Sequence, residues 1–408
     1  MTSAAATRPL LRLFPVLLLN LVAFGVSIPI IPALAKGLGA SGVEVGLIFA
    51  LQALGQFAMA PLWGKLSDRT GRKPILVVTI AAAACVDVLT ANTSSLWMLF
   101  VARLVAGLCA GNISTASALV TDATTLKTRS KGLAIIGICF GLGFTIGPGL
   151  GAYAAAKTPQ AIGMMGRGFP FLVAGGINAL AAVLAMGLLR EPIKEGLTRQ
   201  NNRLSRRPDA IVQMLKRPGI RVMSWFFLAY SLAVTILETT FFLYAAGAYD
   251  YNEAQVGAIF AGMGLLSALV QGGIGRISKR LGDLRMTFVG ALLFGLTIAA
   301  AAIWEQIVYL LVMLALASIG RALLQPGSLS MMSRQSVTEG ENGKVMGIAQ
   351  SAQSLGRVVG PALGGLLFDF VNPRAPFVAS GFILTAASLY WVVAIKKAAP
   401  QTASVASK

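Results

Sequence analysis

The sequence predicts an all-α integral membrane protein, with twelve transmembrane helices in two pseudo-symmetric six-helix bundles. Three observations predict it. Hydrophobic residues make up 56% of the 408 and charged residues 12%, with a mean hydropathy of +0.75, whereas a soluble domain carries about 25% charged residues. Apolar runs long enough to cross a hydrocarbon core of roughly 30 Å recur along the whole chain. A motif that follows the second run returns 211 residues later, after the eighth.

Backbone polar groups in lipid must be paired within their own segment, so each run reads as a helix. The first span, 13–36, follows Arg8 and Arg12 and is too long for a signal-peptide core, so it is read as retained. The second is 44–63. The third, 74–93, and the fourth, 96–120, meet at the short turn Asn92-Thr93-Ser94-Ser95. The fifth, 131–155, is rich in glycine, and the sixth is 169–189. A basic stretch from Arg190 to Arg221 then interrupts the pattern, with a short interfacial helix expected near Ala210–Leu215. The remaining spans are 221–246, 254–275, 285–304, 306–331, 344–369 and 375–395, the ninth and tenth meeting at Trp304-Glu305-Gln306. The division is an N-terminal bundle (1–189), a basic linker (190–220), a C-terminal bundle (221–398) and a tail (399–408).

The net charge is +19, from 34 Lys and Arg against 15 Asp and Glu. Four basic residues (Lys36, Lys157, Arg167 and Arg374) fall in one set of loops, and three (Arg103, Arg321 and Arg357) fall within spans. The other 27 lie on the side of the termini and the linker. By the positive-inside rule this places both ends in the cytoplasm, and a bacterial inner (plasma) membrane is the expected location. The charge is thus an orientation signal and gives no support to nucleic-acid binding.

Chemistry is limited by what is absent. The chain has no histidine, the commonest metal ligand and general base. It has no Walker sequence, no His-Glu-x-x-His and no filter-like repeat. No metal or cofactor is expected, and neither an enzyme nor a channel. Cys85, Cys109 and Cys139 each sit in an apolar run and read as small buried hydrophobes.

Two pairs of segments repeat. Gly64-Lys-Leu-Ser-Asp68-Arg69-Thr-Gly71 matches Gly275-Arg-Ile-Ser-Lys279-Arg-Leu-Gly282, and Gly143-Phe-Thr-Ile-Gly147-Pro148-Gly-Leu-Gly151 matches Gly356-Arg357-Val-Val-Gly360-Pro361-Ala-Leu-Gly364. The offsets, 211 and 213 residues, indicate a duplicated six-span unit, a transporter architecture. The run Gly64 to Lys73 closely resembles the loop signature of the major facilitator superfamily. Arg103-Leu-Val-Ala-Gly107-Leu-Cys-Ala-Gly111 resembles its fourth-span motif. Gly137, Gly141, Gly143, Gly147-Pro148 and Gly151 resemble the fifth-span motif of its proton-driven antiporters. The run from Asp87 through Arg103 to Pro148 is most similar to tetracycline and multidrug/proton antiporters.

The resemblance implies a conformational latch at Gly64, Asp68, Arg69, Gly71 and Arg72, in which Asp68 caps a helix of the other half. The matching partners here are Arg72, Asp122 and the region Asn342–Lys344. Because Lys279 stands at the acid position of the second repeat, the latch is expected to be asymmetric. Gly143, Gly147, Pro148 and Gly151, with Gly360, Pro361 and Gly364, lack bulk and are expected to let the halves approach closely, with proline bending the helix.

Five ionisable residues lie well within spans, and a charge in lipid is a functional candidate by default. At about 1.5 Å per residue, Asp87 and Arg103 come level and are expected to pair, in a bond that either couples to protons or fixes the hairpin. Glu238 has no basic neighbour in sequence. A carboxyl isolated in low dielectric is a candidate to take up and release protons, or to meet a cationic substrate. Arg321 and Arg357 are expected to hold Glu238 or an anionic group of the substrate. Asn20, Gln52, Gln56, Asn112, Tyr230, Gln271, Gln325, Gln350 and Gln353 either line the cavity or bond between helices. Phe226, Phe227, Phe241, Phe242 and Tyr244 fit an amphipathic substrate, with at least half expected to face lipid. Pro29 and Pro32 are placed at an outer gate.

The function expected is proton-coupled export of small amphipathic compounds by alternating access, by a monomer in the lipid bilayer. The alternative on the same fold is uptake or facilitated passage of an anionic metabolite, or lipid movement.

Overall fold

The computed structural model describes residues 3–123, 129–157, 164–191, 213–335 and 342–405, and every regular element among them is helical. The first half contains α1 (Ser3–Gly37), α2 (Gly42–Thr70), α3 (Arg72–Ala91), α4 (Leu96–Cys109), α5 (Asn112–Ala123), α6 (Arg129–Ala156) and α7 (Met164–Leu188). The second contains α8 (Pro218–Tyr249), α9 (Glu253–Gly272), α10 (Ile274–Leu281), α11 (Asp283–Ala301), α12 (Ile307–Ser333), α13 (Asn342–Phe370) and α14 (Ala375–Val405). Of the expected interfacial helix, Gln213–Leu215 is helical, and 210–212 lie outside the described residues.

Ten of these helices are long and apolar enough to cross a membrane. The pair α4–α5 occupies the place of the fourth span, and α13 that of the eleventh. α13 falls below that apolarity because Gln350, Ser351, Gln353, Ser354 and Arg357 crowd its first half.

The fourth span, expected to be continuous, is broken at Ala110–Gly111. The cause is local. Trp63 of α2 donates its indole N–H to the Leu108 carbonyl at 2.7 Å, taking the acceptor that an uninterrupted helix gives to residue 112. The same ring lies against Gly111, where a side chain has no room.

The repeat is clearer in the helix caps than in the sequence. Ser41 and Glu44 form a reciprocal capping box before α2, and Asn252 and Gln255 form the same pair of bonds before α9. Gly71 and Gly282 both take positive φ, +106° and +74°, to end one helix and begin the next. Ser95 and Gln306 are the caps of α4 and α12. Each of these pairs is 211 residues apart.

By compactness the chain forms two units, Met1–Glu195 with Thr239–Leu265, and Gly196–Glu238 with Leu266–Lys408. The second division therefore cuts α8 and α9, away from the bundle boundary read from the sequence. In the first unit, Gly257 and Gly264 of α9 explain this. A methyl carbon at Gly257 would lie 2.8 Å from the Pro148 carbonyl, and one at Gly264 would lie 2.7 Å from Thr145 Cα.

α1 and α8 are the most enclosed helices, with 72% and 78% of their most apolar stretches buried, against 28% for α2 and 11% for α9. In the first unit Leu13, Leu17 and Leu21 of α1 pack with Leu76, Ile80, Leu119 and Cys139. In the second, Phe226 of α8 stacks on Trp391 of α14 at 5.0 Å. Phe226, Phe227, Phe241, Phe242 and Tyr244 are all buried inside the protein. The expectation that half of them face lipid is corrected, because all five side chains are enclosed by protein. Cys139 is buried, but Cys109 is half-buried and Cys85 exposed, so burial fails as a common account of the cysteines.

Candidate functional site

In the first unit a chain of amides crosses four helices. Asn112 of α5 donates to Asn20 of α1. Asn20 Nδ2 donates to Asn178 Oδ1 of α7 at 2.8 Å, and Asn178 Nδ2 donates to Asp87 Oδ2 of α3 at 2.8 Å. Asn20, Asn178 and Asp87 are buried. Every donor points along the chain toward Asp87, its only charged member. Asn20 and Asn112 therefore spend these amide atoms on bonds between helices. Asn178 was not singled out from the sequence, because one amide in an apolar span carries no signal of its partners.

Arg103 is buried in the same unit but does not form the expected ion pair with Asp87. Its guanidinium donates to Thr90 and lies 5.6 Å from the Phe171 ring centroid, with Nε left without a hydrogen-bond partner. Thr90 is three residues beyond Asp87, so the arginine reaches the neighbouring turn of α3. The two charges remain within electrostatic reach of each other.

The second unit gathers a different set. Arg321 Nη1 of α12 bridges Glu238 Oε1 of α8 at 2.9 Å, the two side chains being 31% and 23% exposed. Glu238, isolated in sequence, is thus ion-paired in the fold. Tyr230, buried two turns earlier on α8, acts electrostatically on the same pair, as does half-buried Arg357 of α13. The seam that brings α13 here is built on glycine. A methyl carbon at Gly356 would lie 2.7 Å from Ser231 Cβ, and one at Gly360 would meet the Thr235 hydroxyl. Ser231 Oγ donates to the Gln353 carbonyl at 2.7 Å. Gln353 thus contributes its backbone to the seam. Gln52 and Gln56 are half-buried on α2.

At the linker-side end of the first unit, Arg72 bridges Asp68 at 2.7 Å and Asp122 at 2.8 Å, and donates to Ser67 Oγ at 2.6 Å. Glu191 accepts from the backbone N–H groups of Arg72 and Lys73 at 2.6 and 2.9 Å, so it is the acid that caps α3. Its carboxylate fills the space above Gly71, 2.8 Å from where a side chain would begin. Arg69 is exposed, and a side chain at Gly64 would meet nothing within 4 Å. The side chains of Asn342–Lys344 lie outside the described residues.

The second unit contains the counterpart with its charges exchanged. Asp283 stands 211 residues after Arg72, and Arg334 stands 212 after Asp122. They bridge at 2.6 Å, and Asp283 also accepts from Ser278 and Ser330 at 2.6 Å. The sequence reading looked for an acid at Lys279 and so passed over this pair.

The glycine series of α6 faces its own half. A methyl carbon at Gly143 would lie 2.8 Å from Leu21, one at Gly147 2.6 Å from Gly25 Cα, and one at Gly151 2.7 Å from the Val26 carbonyl, all on α1. Spacing of four keeps these glycines on one face. The approach to α9 uses the next face, through Thr145, Pro148 and Ala152. Pro148 and Pro361 lie inside α6 and α13, and Pro361 and Gly364 are buried.

The Major Facilitator Superfamily profile matches residues 13–252 and 227–408. The chain is 28% identical over 375 residues to the class E tetracycline resistance protein of Escherichia coli, covering 89% of this chain and 88% of that protein. It is 28% identical over 390 residues to multidrug resistance protein 2 of Bacillus subtilis (strain 168), covering 91% and 92%. Among solved structures it is similar to the human organic anion transporter MFSD10 (TM-score 0.70, 23% identity, covering 95% and 99%). It is also similar to a bacterial homologue of the human lysosomal transporter Spinster in an inward-facing, unoccupied conformation (TM-score 0.74, 16% identity, covering 98% and 96%). With its helical repeat, its membrane-length spans and a profile match across both halves, the chain belongs to the Major Facilitator Superfamily, a family of membrane transporters.

Proposed function

We propose that this transporter exports small amphipathic organic compounds in exchange for protons, by alternating access, from a bacterial inner membrane with both termini cytoplasmic. The tetracycline and multidrug resistance proteins it resembles support the export reading. The observation that carries proton coupling is the contrast between the two buried carboxylates. Asp87 has no cation within ion-pair distance among the described residues and ends a chain of amides. A proton taken up there breaks no ion pair, whereas one taken up at Glu238 competes with Arg321. Asp87 is the proton site in this reading, and Tyr230, Glu238, Arg321 and Arg357 contact substrate. Arg103 stabilises the charged state of Asp87 from the neighbouring turn.

The test is substrate-induced proton movement in proteoliposomes, with wild type compared against Asp87→Asn and Glu238→Gln. Loss of proton movement in the Asp87 variant, with substrate binding retained, supports the assignment. Proton-coupled transport at full rate in that variant overturns it.

A second reading, uptake or facilitated passage of an anionic metabolite or movement of a lipid, is favoured by one observation: two arginines share one glutamate. Flux independent of any proton gradient distinguishes it.

A further inference from the structure

We infer that the second unit recognises an acidic group on the substrate, a carboxylate, sulfonate or phosphate, and that Arg357 is the residue that receives it. The inference rests on the transporter reading and names the chemistry of what is carried. Ser231, Thr235 and Glu238 recur at helical spacing on one face of α8. Gly356 and Gly360 press α13 onto that face, and Thr235 Oγ1 donates to the Gly356 carbonyl at 3.2 Å. The residue between these glycines that carries charge is Arg357, and Glu238 lies within its electrostatic reach.

Glu238 is already neutralised. Arg321 holds it at 2.9 Å. Arg357 makes no ion pair or hydrogen bond among the described residues and is half-buried. Two guanidinium groups against one carboxylate leave one positive charge uncompensated in a partly accessible place. Such a charge is costly in a membrane protein unless a counter-charge completes it. A guanidinium is the donor best matched to a two-oxygen anion. Buried Tyr230 adds a phenol beside the pair. A permanently cationic drug meets net repulsion here, while a molecule carrying an acid beside an apolar body finds its counter-charge.

The experiment uses the purified full chain and matched pairs of probes: a xanthene dye bearing a free carboxylate and its methyl ester, and naphthalene acetate and its methyl ester. Equilibrium binding in detergent is the first arm. A tenfold preference for acid over ester corresponds to about 1.4 kcal/mol. The expected result is at least about that preference in wild type, its collapse in Arg357→Gln, and partial return in Arg357→Lys. Protection of Arg357 from phenylglyoxal by the acid but not the ester, read by mass spectrometry, is a second measurement free of transport. Equal binding of acid and ester in both pairs, or a preference that survives Arg357→Gln, overturns the inference.

The second arm measures proton movement in phosphatidylcholine vesicles with the same probes. Acid preference without proton movement defeats the export reading and leaves the inference standing. Proton-coupled movement of the esters without acid preference does the reverse. Displacement of the acids by phosphatidylglycerol identifies a lipid headgroup as the source of the acidic group.

Discussion

The two halves share one scaffold and differ in the polar groups set on it. Caps at Ser41 and Asn252, at Gly71 and Gly282, and at Ser95 and Gln306 keep the same places. An ion pair joins the third span to the end of the fourth in each half, but Arg72–Asp122 becomes Asp283–Arg334. Deeper in, the first half holds a neutral amide chain ending on Asp87, and the second holds Glu238 among arginines. The difference teaches that helix geometry tolerates exchange of charge as long as a cation still faces an anion. In the proposed function it also separates the work of the halves, protons in the first and substrate charge in the second.

The largest effect is expected at the carboxylates. Asp87→Asn abolishes substrate-induced proton movement, while Glu238→Gln keeps it, leaves Arg321 without its partner and changes substrate binding, tightening it for an acidic probe. Proteoliposome proton movement and equilibrium binding, measured on both variants, check the separation. Equal defects in both assays for both variants break it.

Next come the glycine seams. At Gly147 an added methyl meets backbone of Gly25 and Val22, which cannot rotate away. At Gly360 the first atom met is the Thr235 hydroxyl, which can turn. Gly147→Ala is expected to destabilise by about 1–3 kcal/mol, and Gly360→Ala by less. Thermal unfolding in detergent ranks them, with Gly141→Ala, where nothing lies within 4 Å, as the neutral control.

The exchanged ion pairs follow. Arg72 is 11% exposed and holds two carboxylates, whereas Arg334 is 71% exposed. A double-mutant cycle on Arg72 and Asp122 is expected to give about 1–3 kcal/mol, and one on Asp283 and Arg334 about 0.5–1 kcal/mol. Salt weakens the second more than the first, because exposed charges are screened. Asp283→Arg combined with Arg334→Asp restores most of the stability lost in either single variant.

Hydropathy made the spans legible, and the loop and glycine motifs made the duplication legible, because both are local properties of the chain. The partners of buried polar groups were not. Glu238 reads as isolated until α12 brings Arg321 beside it, 83 residues away. Asp87 and Arg103 read as level, but their side chains turn to Asn178 and Thr90. The glycines of α6 were legible as a flat face, yet which neighbour that face meets depends on rotation about the helix axis. Asp283 was hidden because the repeat was aligned on an acid, and the duplication had exchanged the signs.

The smallest effect concerns where each half breaks. The first half breaks its fourth span between α4 and α5, while its counterpart α12 runs unbroken through Ile307–Ser333. The second half instead ends α9 at Gly272 and starts α10 at Ile274, where the first half runs α2 without interruption. Trp63 and Ile274 are 211 residues apart, as are Gly111 and Ala322. The indole that takes the Leu108 carbonyl, and the glycine that makes room for it, therefore both have apolar counterparts that can do neither. Trp63→Phe removes the donor and keeps most of the ring. The expected cost is about 0.5 kcal/mol, the low end for one hydrogen bond, with faster amide exchange confined to residues around Gly111. Ile274→Val in the other half is expected to leave exchange around Ala322 unchanged, since the side chain that reaches this ladder is Ser267, whose Oγ donates to the Ser318 carbonyl at 3.2 Å without breaking α12. Exchange that rises equally at both places would show that the break belongs to the scaffold and not to Trp63.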